Sequence, residues 1–319
     1  MADIGGTPLV ELETDAPGTV YGKAEWFNLS TLPHGGGSVK DRIAAAMLDS
    51  LDAAPGEKPV LEPSTGNTGA ALARVGGERG YDVEIVLPAS AADGKVEAIR
   101  DAGASIHFVD TGGDYDAILE RCAALAAEGE YARPAQYANP ANPGVHERET
   151  AAEIWTQTGG ELTHFVAGVG TGGTVTGVGR GLHDRGDVAV IGYEPAERDH
   201  GLSGLKYLRG GGHTPAVYDE SVLDGKRYVT TESGYSAARD LRDTHAEREI
   251  RVVDTGRFGE TELREHLRVD GDFLVGPSSG GAFAVARAIA ADPSATVVAM
   301  LADRGDRYPD VNLGTPDDI

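Results

Sequence analysis

The chain has 319 residues, of which 51 are acidic and 28 basic, giving a formal net charge of -23 at pH 7. That length supports two domains and a sizeable core, while the charge repels nucleic acid and anionic membranes at long range and excludes both as partners. Only six of the basic residues are lysines, and an acidic, lysine-poor balance is expected of a surface adapted to high salt.

The 45 glycines and 16 prolines are scattered between apolar segments, as in a globular protein with many tight turns. The opening residues show no secretory pattern, and no apolar run approaches the ~20 residues of a membrane helix, so a cytoplasmic protein is expected. Cys122 is the only cysteine, which excludes an intrachain disulfide and a multi-cysteine metal site. It lies in "YDAILERCAALAAEGEY", where apolar residues recur at helical spacing, and reads as a small buried thiol without chemistry. No metal site is expected.

The first distinctive stretch is "GGGSVKDR", Gly35 to Arg42, which sets Lys40 among small residues just before an alanine-rich run. From Pro59 onward short β-rich runs alternate with helical ones: "PVLEP", a helix from about Thr68 to Arg79, "DVEIVLP", a helix near Ala91 to Ala102, "SIHFVD", and the Cys122 helix. Pro140 and Pro143 disfavour helix at the residues before them and predict a boundary. A second series follows, with a helix through "ERETAAEIWTQTG", the strand "THFVAGV", a helix after Gly173 and the strand "VAVIGYEP". Two α/β domains are therefore expected, 1–145 and 146–319. Gly210 to Pro215 reads as a loop and "NLGTPDDI" as a solvated tail.

Four glycine-rich turns carry the candidate chemistry. "GVGTGG", Gly168 to Gly173, satisfies a dinucleotide fingerprint, with Glu194 following near a strand end as a ribose partner. Its physical content is narrower: backbone N–H groups at a helix start bind a phosphate on any carrier, and Thr171 and Thr174 add hydroxyls suited to a terminal phosphate monoester. "EPSTGNTGAALA" crowds Ser64, Thr65, Asn67 and Thr68 at a helix start, forming a carboxylate cradle beyond what capping requires. Ser278 and Ser279 precede a third helix, and either serves equally well as a cap or as a ligand to a cofactor. With Lys40, these turns supply a Schiff-base amine, a phosphate cup, a carboxylate cradle and a ring partner, the set a pyridoxal phosphate enzyme needs.

In this order, "IGGTPLVEL", "GGSVKDR", "EPSTGNTGAALA", "YANPANPGVHERETAAEIWTQTGG", "THFVAGVGTGGTVTGVGR", "VGPSSGGA" and "DRGDRY" resemble the cysteine synthase family, fold-type II pyridoxal phosphate enzymes that catalyse β-replacement. The resemblance implies a two-domain, three-layer αβα fold with mainly parallel sheets, like the tryptophan synthase β chain, with residues ~10–35 crossing to the other domain. It implies that Lys40 is the Schiff-base lysine and general base, and that Asn67 bonds the ring's 3'-oxygen. Gly170, Thr171, Gly172, Gly173 and Thr174 take the phosphate. Ser278 faces the pyridine nitrogen, and Ser64, Thr65, Thr68 and Gln136 grip the substrate carboxylate. The implied reaction converts an O-activated L-serine and sulfide to L-cysteine through an α-aminoacrylate, in a homodimer. The alternatives are cystathionine β-synthase chemistry with serine and homocysteine, and a nicotinamide-dependent oxidoreductase using Gly168 to Gly173.

Three features depart from the family pattern. "LSTLPHGG" lengthens the turn before the lysine and brings in His34, the cradle order is Ser64-Thr65, and the Arg239 to Phe273 region is long, with an acidic helical segment at about 245–268. Lys206 and Arg209, in the region that resembles the leaving-group reader, are candidate contacts for the phosphate of O-phosphoserine, or else solvated surface charges.

Overall fold

The computed structural model describes residues 4–29, 37–64, 66–91, 93–110, 116–211, 214–246, 248–311 and 313. His34, Thr65, part of the Gly210 to Pro215 run and most of the tail lie outside the described residues. The chain divides into two compact units, Lys40–Asn142 with Ile4, and Gly5–Val39 together with Pro143–Ile319.

Strands β1 (Leu9–Glu11) and β2 (Thr19–Ala24) open the chain, followed by α1 (Val39–Asp49), β3 (Val60–Pro63), α2 (Asn67–Glu78), β4 (Val83–Pro88), α3 (Asp93–Asp101), β5 (Ser105–Val109) and α4 (Asp116–Glu128). Helix α5 (Ala141–Val145) runs through a π turn (His146–Thr150) into α6 (Ala151–Gln157). Then come β6 (His164–Gly168), α7 (Gly173–His183), β7 (Ala189–Pro195), β8 (Gly225–Val229), α8 (Thr231–His245), β9 (Val252–Asp254), α9 (Glu260–Leu267), α10 (Pro277–Ile289) and β10 (Thr296–Leu301).

In the first unit β3, β4 and β5 form a parallel sheet in that order. Successive side chains of a strand point to opposite faces, and the core follows. Val60, Ile85 and Leu87 pack with Ala70, Ala71, Leu72 and Val75 of α2, while Leu61 and Val86 pack with Ile118, Cys122 and Leu125 of α4.

The second unit holds a seven-stranded sheet in the order β8-β7-β6-β10-β2-β1-β9, parallel from β8 to β2 and antiparallel at β1 and β9. β10 shows why both faces must be covered: Val297, Ala299 and Leu301 enter one apolar cluster, Val298 and Met300 the other. Residues 5–39 belong to this unit through the pairing of β2 with β10 and through a buried cation. Lys23 Nζ donates to Thr7 O (2.6 Å), Glu153 Oε2 (2.7 Å) and Gln157 Oε1 (2.9 Å), and Glu153 also accepts from Gly6 N (2.8 Å). An ammonium group that is 0 % exposed is tolerated only with such a full set of acceptors.

Two expectations are revised. Pro143 does not keep the preceding residue out of a helix: α5 begins at Ala141, so this proline sits in the first turn, where a missing N–H breaks no ladder bond. The 245–268 segment is not only helical. It places β9 against β1 at the sheet edge, and only then forms α9, whose Leu263 and Leu267 join the apolar cluster with Phe27, Phe258 and Phe273. No helix among the described residues is long and apolar enough to cross a membrane.

Burial raises the Cys122 thiol to about 11, consistent with a reading as a packing residue. Native protein at pH 8 should therefore react with a thiol reagent at least tenfold more slowly than denatured protein, measured by absorbance; equal rates would contradict this packing.

Candidate active site

Lys40 is the second residue of α1, and its neighbour Asp41 is 0 % exposed. Asp41 Oδ1 accepts from Arg74 Nη2 of α2 at 2.8 Å, and Arg79, just past the end of α2, donates to Ala45 O at 3.0 Å. These contacts lock the helix carrying Lys40 to the helix that begins with Asn67.

β3 runs apolar and buried into the turn before α2, and that turn converts the strand into a helix start. The N-cap position is Gly66, which has no side chain to cap with. Ser64 substitutes, its Oγ accepting from Gly69 N (2.9 Å) and Gly66 N (3.3 Å). Thr68 Oγ1 donates to Gln136 Oε1 at 2.8 Å, and Gln136 Nε2 donates to Pro63 O at 3.1 Å. Ser64, Thr68 and Gln136 are thus brought into one buried group across a sequence separation of 68 residues between Thr68 and Gln136. Thr65, the fourth member expected, lies outside the described residues.

The sequence reading gave no role to Glu62, the last-but-one residue of β3. It is 0 % exposed, and its carboxylate accepts from Ala135 N (2.8 Å) and Gln136 N (3.1 Å). Burial is the main force on its pKa, raising it to about 7 against the opposing pull of those two donors. The only early signal was a charged residue inside an otherwise apolar strand.

In the second unit, β6 leads into Val169-Gly170-Thr171-Gly172 and then α7. Gly172 has φ +82, and a Cβ there would meet Tyr218 Cβ at 2.5 Å; a Cβ on Gly170 would meet Gly204 O at 2.3 Å. Both positions require glycine. Gly172 supplies no side-chain cap, while Thr171 Oγ1 accepts from Gly173 N at 3.3 Å. First-turn N–H groups of α7 therefore remain for an anion. Thr174 Oγ1 contacts His146 Nε2 at 3.2 Å, and His146 Nδ1 contacts Thr150 Oγ1 at 3.0 Å, so the π turn supports the cup from behind. These groups fit a phosphate monoester.

Ser278 is the second residue of α10 and is 7 % exposed. Tyr193 of β7 donates its hydroxyl to Ser278 O, and its own carbonyl accepts from Val169 N at 2.9 Å. One buried tyrosine thus ties the cup to the serine helix, and burial drives its acidity well below that of an ordinary tyrosine. The start of α10 is held from the other side by Asp303, whose carbonyl accepts from Gly276 N (3.1 Å) and Ser279 Oγ (3.2 Å).

Glu194, the residue a dinucleotide reading needs, is engaged elsewhere: it pairs with Lys226 Nζ at 2.6 Å and accepts from Leu208 N at 3.2 Å. Lys206 adjoins the cup through its backbone, donating to Val169 O at 2.9 Å. Arg209 is instead exposed and lies over the Tyr228 ring at 4.9 Å.

Residues 1–303 match the family described as "Pyridoxal-phosphate dependent enzyme". The chain is 39% identical over 245 residues to a cysteine synthase of Aquifex aeolicus, covering 75% of this chain and 74% of that protein. It is 33% identical over 315 residues to cysteine synthase B of Escherichia coli, covering 96% and 92%. Among solved structures, an O-ureido-L-serine synthase superposes with a TM-score of 0.82 at 29% identity, covering 98% of this chain and 96% of that one.

Replacing Gly170 with alanine should cost about 2–4 kcal/mol in chemical denaturation, because its Cβ would strike a backbone carbonyl. It should also weaken uptake of pyridoxal phosphate by the apoprotein, and an unchanged midpoint and affinity would contradict the geometry.

Proposed function

We propose, for a chain that belongs to the cysteine synthase family of pyridoxal-phosphate dependent enzymes, that the residues described above exchange the β-substituent of an O-activated L-serine for sulfide. The observation that carries this reading is the locked start of α1 and α2. It holds Lys40 on the helix clamped by the Asp41–Arg74 pair, next to the helix that begins with Asn67 and the Ser64, Thr68 and Gln136 group.

Bound pyridoxal phosphate supplies an electron sink that acidifies the α-hydrogen of an amino acid. Lys40 holds the cofactor covalently between turnovers, and as a free amine takes the α-proton and later returns it. Asn67 fixes the cofactor ring through its 3'-oxygen, and Gly170, Thr171, Gly172, Gly173 and Thr174 hold its phosphate. Ser64, Thr65, Thr68 and Gln136 orient the substrate through its α-carboxylate. Ser278 offers the ring nitrogen a neutral hydroxyl, which leaves the sink weak and favours prompt departure of the β-substituent. The β C–O bond breaks with release of acetate or phosphate, hydrosulfide forms the C–S bond, and the α-proton is restored.

The leaving group separates two donors, O-acetyl-L-serine and O-phospho-L-serine. In this reading Lys206 meets an anionic leaving group, which is supported by its backbone bond to Val169 O beside the cup, whereas Arg209 lies over the Tyr228 ring. The reading extends to a cytoplasmic homodimer working at high salt, supported by the resemblance and by the net charge of -23.

Holoenzyme should form cysteine from at least one ester and sulfide, and Lys40→Ala should lower that rate by about 10³-fold or more. Lys206→Ala should lower kcat/KM for O-phosphoserine by about tenfold and leave that for O-acetylserine within about twofold, read by steady-state cysteine assay. No turnover of either ester would overturn the reaction, and equal losses for both would overturn the assignment of Lys206.

A further inference from the structure

Each backbone and side-chain polar atom of Gln136 makes a bond within its own unit, and of the two hydrogens on Nε2 one is used in this way and the second is left for a ligand. Its Oε1 accepts from Thr68, its Nε2 donates to Pro63 O, its carbonyl accepts from Asn142 Nδ2 (2.7 Å), and its N–H is held by Glu62. The residue before it, Ala135, has φ +53, a left-handed conformation that is strained for a residue with a side chain. Something must hold it there. Glu62 does so with both oxygens, Oε2 on Ala135 N (2.8 Å) and Oε1 on Gln136 N (3.1 Å). A carboxylate has no packing reason to be 0 % exposed between apolar residues Leu61 and Pro63, and its two backbone bonds define its task.

We propose that Glu62 is a positioning residue for the substrate: its carboxylate clamps Ala135 and Gln136 in the strained turn and so aims the Gln136 amide, beside Thr68, at the amino acid's α-carboxylate. This rests on the reading that Gln136 grips that carboxylate. Glu62 touches neither substrate nor cofactor. It acts by keeping a donor aimed that would otherwise have to be ordered on binding, so its loss is felt in substrate affinity more than in the chemical step. The ionised form accepts both N–H groups, whereas a protonated carboxyl must turn one oxygen into a donor. Arg133 favours the ionised form, burial opposes it, and among the described residues the Cys122 thiol on α4 also faces it. Protonation near pH 7 therefore loosens the turn in the acid direction.

The test uses holoenzyme and O-acetyl-L-serine. Glu62→Gln should raise KM by about tenfold or more with kcat within about twofold. It should also speed amide hydrogen exchange in residues 133–139, an effect read by mass spectrometry without turnover. Glu62→Gln combined with Ala135→Gly should recover part of the KM, because glycine adopts φ > 0 without the penalty. Should the single variant not fold, the double variant is compared with Ala135→Gly alone, and a higher KM in the double supports the clamp. Gln136→Ala, measured in parallel, separates the two failures. An unchanged KM there overturns the carboxylate assignment and this proposal with it; a raised KM there, with KM and exchange unchanged in Glu62→Gln, overturns the clamp alone.

Discussion

A strand buried on both faces offers accessible polar groups where it ends, and the candidate groups of each unit follow from that constraint. β6 and β10 are apolar along their interior and β3 is so except for Glu62, and each opens to polar groups just past its carboxyl end: Ser64 after β3, the Gly170–Thr174 cup after β6, Asp303 after β10. Two of these ends, after β3 and β6, lead directly into a helix, whose unpaired N–H groups form anion sites. The third supports a helix start, since Asp303 holds the beginning of α10 where Ser278 lies.

Buried polar groups in each unit are held by several hydrogen bonds. Gln136 and Lys23 each have several partners at short distance while almost wholly buried. Such networks lose much of their value when one member is removed, because the remaining groups cannot return to water. The rigidity of the side chains that would meet a ligand is therefore a property of the residues behind them. Tyr193 and Asp303 do for Ser278 what Ser64 does for the start of α2.

What was legible in the sequence is what is written locally. Helix starts, glycines that exclude a Cβ and the periodicity of the buried strands all depend on neighbours within a few residues, and α2 falls within one residue of its expected span. What was not legible depends on distant partners. Glu62 meets Gln136 across 74 residues and Tyr193 meets Ser278 across 85, so neither side chain announces its role in its own segment. The membership of residues 5–39 in the second unit has no local sign either: a crossing of residues ~10–35 is expected only from the family resemblance, because the membership rests on β2 pairing with β10 and on Lys23 finding Glu153 across 130 residues. β9 escaped notice because a three-residue edge strand carries no measurable periodicity.

The most direct test of the account is to reduce the purified holoenzyme with borohydride and locate the phosphopyridoxyl group by peptide mass mapping. The chain offers six lysines as competing attachment sites. The account predicts stoichiometric modification of Lys40 and of no other lysine. Modification at Lys206 or Lys226, or protein that reconstitutes yet carries no label, would contradict it.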